Sequence, residues 1–181
     1  MRLFLTAALA SLAAACTTSE QAPPKTANMP AGAPPAEAKL KTAAGAEIGT
    51  VQITPSPHGV LVRIIVQPGG LPPGWHGTHF HGVGNCDDPH AGFQASGGHA
   101  KKVENGHGLL YPYGPEGGDL PNLSVAGDGS ASAEMFSTLI TASELQDADG
   151  SVLIIHANAD DHTSQPIGNA GDRIACAVIP K

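Results

Sequence analysis

The 181 residues accommodate one domain with a buried core, and a formal charge of −7, from 9 basic and 16 acidic residues, argues against nucleic acid as a partner. Aromatic residues make up only 4 % of the chain while glycine and proline contribute 23 and 16 residues, which disfavours a helical bundle and suits a β protein rich in turns. No stretch reaches the roughly 18 apolar residues that span a bilayer.

The chain opens with Arg2 as a short positive region, an apolar run from Leu3 to Ala15, and the small-residue site Ala13-Ala14-Ala15-Cys16. That order is the pattern of a secretory signal, so residues 1–15 are expected to be a signal peptide and the mature chain exported, with Arg2 the one charge lost. The site resembles a bacterial lipoprotein lipobox with Cys16 as the lipidated residue, although Ala13 stands where leucine is usual and Leu12 lies one place further back. Of three cysteines in an oxidising compartment, acylation of Cys16 leaves Cys86 and Cys176 to pair. The expected location is the periplasm, with a lipid anchor in the outer membrane favoured by Thr17, rather than Asp, after Cys16. Residues 16–36, rich in Pro, Ala, Thr and Ser and without hydrophobic period, read as an extended tether.

A folded domain is expected over residues 37–181. Short runs with alternation or β-branched enrichment predict strands over 38–43, 47–54, 60–67 and 77–83, then 123–126, 131–139, 152–157 and 173–179. Eight short strands without long helices predict an all-β fold, an antiparallel sandwich or barrel. The interval 84–120 is too long for an ordinary connection and contains Cys86, His99, His107 and Asp119, which marks it as a metal-organised functional loop. A second long loop spans 158–172. Between them Thr141-Ala142-Ser143-Glu144-Leu145 has the polar opener and third-place Glu of a capped helical turn.

The chemistry concentrates in Gly74-Trp75-His76-Gly77-Thr78-His79-Phe80-His81-Gly82. On an extended strand, His79 and His81 face the same side and converge on one point. A solvated or core-satisfied pair would explain these two alone. The recurrence of Gly97-Gly98-His99, Asn105-Gly106-His107-Gly108, Asp119 and His156 in a charge-poor segment points instead to a metal site.

Five blocks, in order and at matching separations from about Ala38 to Ile179, resemble the bacterial Cu,Zn superoxide dismutase family. They are Gly74-Trp75-His76-Gly77-Thr78-His79-Phe80-His81, Gly97-Gly98-His99, Gly118-Asp119-Leu120-Pro121-Asn122, the stretch from His156 to His162, and Gly171-Asp172-Arg173-Ile174-Ala175-Cys176. The resemblance implies an eight-stranded Greek-key β-barrel with two functional loops, and disproportionation of superoxide in the bacterial envelope. It implies copper at His79, His81, His99 and His156, with His99 bridging to zinc and taking part in catalysis. Zinc would be completed by His107, Asp119 and, where the family usually has histidine three residues before the aspartate, Glu116. It further implies Asp160 as the carboxylate orienting His79 and His107, Arg173 at the mouth of the copper channel, and a Cys86–Cys176 disulfide. His76 matches a structural histidine bonded to backbone, and His58, His90 and His162 match no ligand.

Several alternatives stay open on these residues. Glu116 is either a ligand or a solvated loop acid with zinc weakly held or absent, the latter giving a copper-only dismutase, and Asp160 and Arg173 have bland readings as a turn former and as a salt-bridge partner of Asp172. Lys101 and Lys102 read as a solvated pair, and Tyr111-Pro112-Tyr113 packs either on the barrel or at a subunit contact. The competing function is a non-catalytic copper-binding or copper-delivery module on the same sandwich, disfavoured by the intact copper set and by only three dispersed Met. The partner expected is superoxide anion, with membrane contact only through the N-terminal lipid, and the assembly either monomer or homodimer.

Overall fold

The structure is a computed structural model, described here for residues 34–101 and 106–181; the signal sequence, Cys16, nearly all of the tether and Lys102 lie outside the described residues. The strands are β1 (Ala36–Thr42), β2 (Glu47–Ser56), β3 (Gly59–Val66), β4 (Gly74–His76), β5 (Thr78–His81), β6 (Leu123–Val125), β7 (Ala131–Ser137), β8 (Ser151–His156) and β9 (Arg173–Ile179). They form a seven-stranded antiparallel sheet in the order β5-β8-β9-β1-β2-β3-β7, with β4 and β6 paired separately. The expected all-β antiparallel fold is therefore observed.

Period-two alternation builds the sheet. In β3, Val60, Val62, Ile64 and Val66 are buried while Arg63 and Ile65 face out, which places one row of branched side chains on the core as a half-buried strand requires. Arg63 pairs on the solvent face with Glu134 of β7, its register partner. The core joins Leu40, Val51, Ile53, Ile64, Phe80, Leu120, Leu123, Leu153, Ile155 and Ile179.

The single strand expected over 77–83 starts earlier and is divided. Gly74–His76 pairs with β6, and Thr78–His81 pairs with β8. Gly77 between them contributes its N–H to the Asn158 carbonyl and its carbonyl to the His156 N–H, so the chain changes partner there. Interactions between distant segments, absent from local periodicity, make this division. The interval 84–120 contains two short 3-10 turns, Pro89–Ala91 and Gln94–Ser96, and Thr141 caps α1 (Ala142–Leu145) through the anticipated reciprocal bonds with Glu144.

β8 is buried on both faces. Leu153 and Ile155 enter the main core, whereas Val152 and Ile154 pack with Phe93 and Cys176 in a second cluster beneath the long loop. That second face is the one that matters for function.

Candidate metal centre

Register carries the histidines to one place. Directly opposed residues in an antiparallel pair share a face, and His79 opposes Ile154 while His81 opposes Val152. His79, His81 and His156 therefore share the loop-covered side of the sheet, and Phe80 and Leu153 fill the core side. The outer edge of β5 is covered by loop backbone: Gly82 N–H donates to Gly98 O, Ala100 N–H to Phe80 O, and Phe80 N–H to Gly118 O. Those bonds bring His99 opposite His81 and Asp119 opposite His79. Gly118 has no substitute here, because a Cβ would collide with the Phe80 carbonyl.

Each of four buried rings is held by one nitrogen and leaves the other bare. His81 Nδ1 donates to Gly97 O (2.9 Å), His156 Nδ1 to Gly171 O (2.9 Å) and His79 Nε2 to the Asp160 carboxylate (2.8 Å), while His99 Nδ1 lies 2.8 Å from Glu116 Oε2. The opposite atoms, His79 Nδ1, His81 Nε2, His99 Nε2 and His156 Nε2, are buried without hydrogen-bond partners and lie within 4.8 Å of one another. A carbonyl or carboxylate that accepts from one ring nitrogen fixes the tautomer and turns the other lone pair outward. Four imidazole donors aimed at one point suit copper, and a bound ion would satisfy atoms that are otherwise costly to bury.

Burial also keeps three of these rings, His79, His81 and His156, neutral. It lowers His79 to about 4 against the opposing Asp160 bond, and, reinforced by neighbouring histidines, lowers His81 to about 2 and His156 to about 3. Neutral imidazole is the form that binds metal.

His99 is shared with a second group in which His107, Glu116 and Asp119 place one donor atom each within the same 4.8 Å limit. His107 Nδ1 is 2.8 Å from Asp119 Oδ1, whose other oxygen accepts the N–H groups of Gly108 (2.8 Å) and Glu116 (2.9 Å). Glu116 is 2 % exposed, so it is no solvated loop acid. Two nitrogens and two oxygens at this spacing suit zinc. Although burial opposes it, bonding to Asp119 and Asp160 raises His107 to about 9.

Asp160 ties the two groups together, its carboxylate reaching His79 and, at 3.2 Å, His107 Nε2. Burial would raise its pKa, but the bonds to His107 and His79 hold it well below the usual carboxylate range. Asn122 grips the Asp160 backbone from both sides, and the His162 N–H donates to Oδ1. Gly168, at φ +59°, lies against this carboxylate, where any Cβ would strike Oδ1.

A cleft of about 720 Å³ reaches His156 of the first group and is lined also by Arg173, His90 and Asp172 among others. Arg173 does not pair with Asp172. Its Nη1 donates to Phe93 O (2.7 Å) and to Ser96 Oγ (2.9 Å), and Ser96 is fully buried and itself donates to Phe93 O. This anchoring leaves the guanidinium half-buried at the mouth, where it can attract an anion against the net negative charge of the chain. Cys86 and Cys176 form a disulfide that fixes the start of the same loop to β9.

The residues singled out from sequence thus assemble into two adjoining sites. His76 stands apart, with each ring nitrogen committed to a backbone carbonyl, His156 O and Pro72 O. Lys101 pairs with Glu144, and Tyr113 is exposed beside Tyr111 rather than packed on the barrel. Sequence reasoning missed Ser96, the Phe93 carbonyl, Asn122 and the rim position of His90; a serine or asparagine in a loop carries no local mark of such a role.

An antiparallel β fold whose loops cover its edge strand, placing an all-imidazole site and an imidazole–carboxylate site on either side of one histidine, defines a binuclear metalloprotein. The family profile described as Copper/zinc superoxide dismutase (SODC) matches residues 47–179. The chain is 45% identical over 151 residues to a protein named Superoxide dismutase [Cu-Zn] from Caulobacter vibrioides, covering 80% of this chain and 84% of that one. It is 35% identical over 141 residues to Superoxide dismutase [Cu-Zn] 1 of Aquifex aeolicus, covering 75% and 81%. Among solved structures, Cu/Zn superoxide dismutase from Brucella abortus matches with a TM-score of 0.64 at 30% identity, covering 81% of this chain and 99% of that one. A double mutant of a SOD-like protein from Bacillus subtilis matches with a TM-score of 0.71 at 34% identity, covering 80% and 97%. The chain belongs to the copper/zinc superoxide dismutase family; it is an enzyme of superoxide dismutation with copper and zinc as its metals.

Proposed function

We propose that His79, His81, His99 and His156 hold the catalytic copper, that His99, His107, Glu116 and Asp119 hold zinc, and that the enzyme removes superoxide in the bacterial envelope. The observation that carries this reading is the set of four buried, partnerless ring nitrogens converging on one point. Copper held there would supply the one-electron redox chemistry by which one superoxide is oxidised to oxygen and another reduced to hydrogen peroxide.

The chain's own groups do the rest. Arg173, held by Phe93 O and Ser96 Oγ, draws the anion into the cleft and orients it. Disproportionation consumes protons, and His99 Nε2 would hold one whenever it is not bound to copper, with its Nδ1 facing Glu116 and Asp119. Asp160 keeps the rings of His79 and His107 in their orientations. The disulfide fixes to β9 the loop whose Phe93 O and Ser96 Oγ hold Arg173.

Residues 1–15 serve as the export signal, 16–36 as the tether carrying a lipid on Cys16 in the outer membrane, and 37–181 as the catalytic domain. Superoxide consumption by the copper- and zinc-reconstituted protein tests the site: His81→Ala should abolish turnover and Arg173→Ala should reduce it while copper content stays at wild-type level. Full activity in both variants refutes the assignment. Palmitate labelling of wild type and not of Cys16→Ser tests the anchor.

A further inference from the structure

The two adjoining sites share His99 but differ in donor chemistry, and the difference rests largely on Glu116. One site offers four imidazoles; the other offers two imidazoles and two carboxylates, all buried. We propose that Glu116 sorts the metals, making the second site retain zinc and reject copper so that copper is confined to the four-histidine site. This rests on the ligand assignment proposed above and goes beyond it.

Two physical effects act in the same direction. Uncompensated charge is expensive to bury. A divalent ion balances the charge of two ligating carboxylates, Asp119 and Glu116, whereas copper(I) balances only one of them. The four-histidine site contains no carboxylate among its ligands and accommodates an ion that alternates between two oxidation states. Donor preference adds to this, because imidazole suits copper as well as zinc, and replacing an imidazole by carboxylate oxygen removes part of copper's advantage in the general affinity order.

The geometry supports Glu116 in this role. Its Oε2 lies 2.8 Å from His99 Nδ1, on the side of the shared ring opposite the bare Nε2. Its backbone N–H donates to Asp119 Oδ2 at 2.9 Å, and the Asp119 N–H returns a bond to Glu116 O at 3.2 Å. The two carboxylates are thereby locked into one turn, and both converge on the site with His99 and His107.

The experiment uses the full chain, stripped of metal, given one equivalent of zinc and then titrated with copper(II), and in a second series with copper(I) under reducing, oxygen-free conditions. Bound metals are counted by elemental analysis, and copper(II) in each site is distinguished by electron paramagnetic resonance, since two coppers sharing His99 couple magnetically. Wild type and Glu116→Asp should keep one zinc and take one copper. Glu116→His should lose zinc to copper at a copper-to-zinc ratio about tenfold lower and give the coupled signal. Glu116→Gln, nearly isosteric but uncharged, should narrow the preference for zinc over copper(I) by about tenfold. Wild-type partition in both Glu116→His and Glu116→Gln overturns the sorting role. Glu116→Ala separates the two readings: unchanged zinc affinity there removes Glu116 from the ligand set altogether, whereas zinc loss in Glu116→Ala with unaltered partition in the other variants overturns selectivity alone.

Discussion

Metal-free protein should lose stability steeply on mild acidification, and the slope follows from three histidines. Unfolded, an imidazole has a pKa near 6.5; folded, burial lowers His79 to about 4, His156 to about 3 and His81 to about 2. Between pH 6 and 4 the unfolded chain therefore takes up about three protons that the folded chain refuses. Proton linkage makes stability rise with pH wherever the unfolded state binds more protons, so the contribution is complete above pH 6.5 and is lost as pH falls below it. Three protons correspond to a slope of about 4 kcal/mol per pH unit. The slope depends on how many rings stay neutral and hardly on how far each is shifted. Against a total of roughly 5 to 15 kcal/mol for a domain, two pH units remove about 8 kcal/mol, a large share of the stability of the metal-free protein. His107 acts oppositely: raised to about 9, its contribution is present below pH 6.5 and lost as pH climbs toward 9, at about 1.4 kcal/mol per unit. Stability of the metal-free chain should accordingly peak near pH 7, where the protons gained by the three unfolded rings and lost by unfolded His107 balance. Urea titrations followed by circular dichroism at half-unit pH intervals measure the slope directly, and His81→Gln should reduce it by about one third. A wild-type slope of one proton or fewer between pH 6 and 4.5 would show that the rings are protonated in the folded state, and the prepared, neutral ligand set would have to be abandoned.

Other consequences are as specific. Cys86→Ser with Cys176→Ser opens a bridge between residues 90 apart in sequence; the chain-entropy model assigns it about 4 to 5 kcal/mol, readable as a lower urea midpoint of the metal-free protein. Ser96→Ala removes a 2.9 Å charged hydrogen bond from Arg173, which should cost about 1.5 kcal/mol of stability and weaken azide binding to the copper form, while leaving copper content unchanged. Asp160→Asn keeps the shape but removes the charge shared by His79 and His107; metal affinity, measured by chelator competition, should fall about 10- to 100-fold.

How much of this was legible beforehand differs from element to element. Alternation at Val60, Val62, Ile64 and Val66 announces β3, and Thr141 with Glu144 announces the cap of α1, because both signals are local in the chain. The pattern over 77–83 reads as one strand although the chain divides at Gly77, since the change of partner from β6 to β8 depends on segments 47 to 77 residues away. His79-Phe80-His81 reveals its converging rings through strand geometry alone. The anchor of Arg173 does not reveal itself, because one of its two acceptors is a backbone carbonyl, which every residue carries.

Residue types and their spacing by themselves determined the all-β character, the two functional loops, the histidines and carboxylates available for metal, and the resemblance that pointed to superoxide. Tertiary structure alone decided which nitrogen of each ring is bare, that Glu116 is buried against His99 rather than solvated, and that Arg173 is held by Phe93 and Ser96. The physical reason is that a side chain's identity limits the bonds it can make, whereas its protonation, tautomer and aim depend on neighbours delivered by strand register and loop closure.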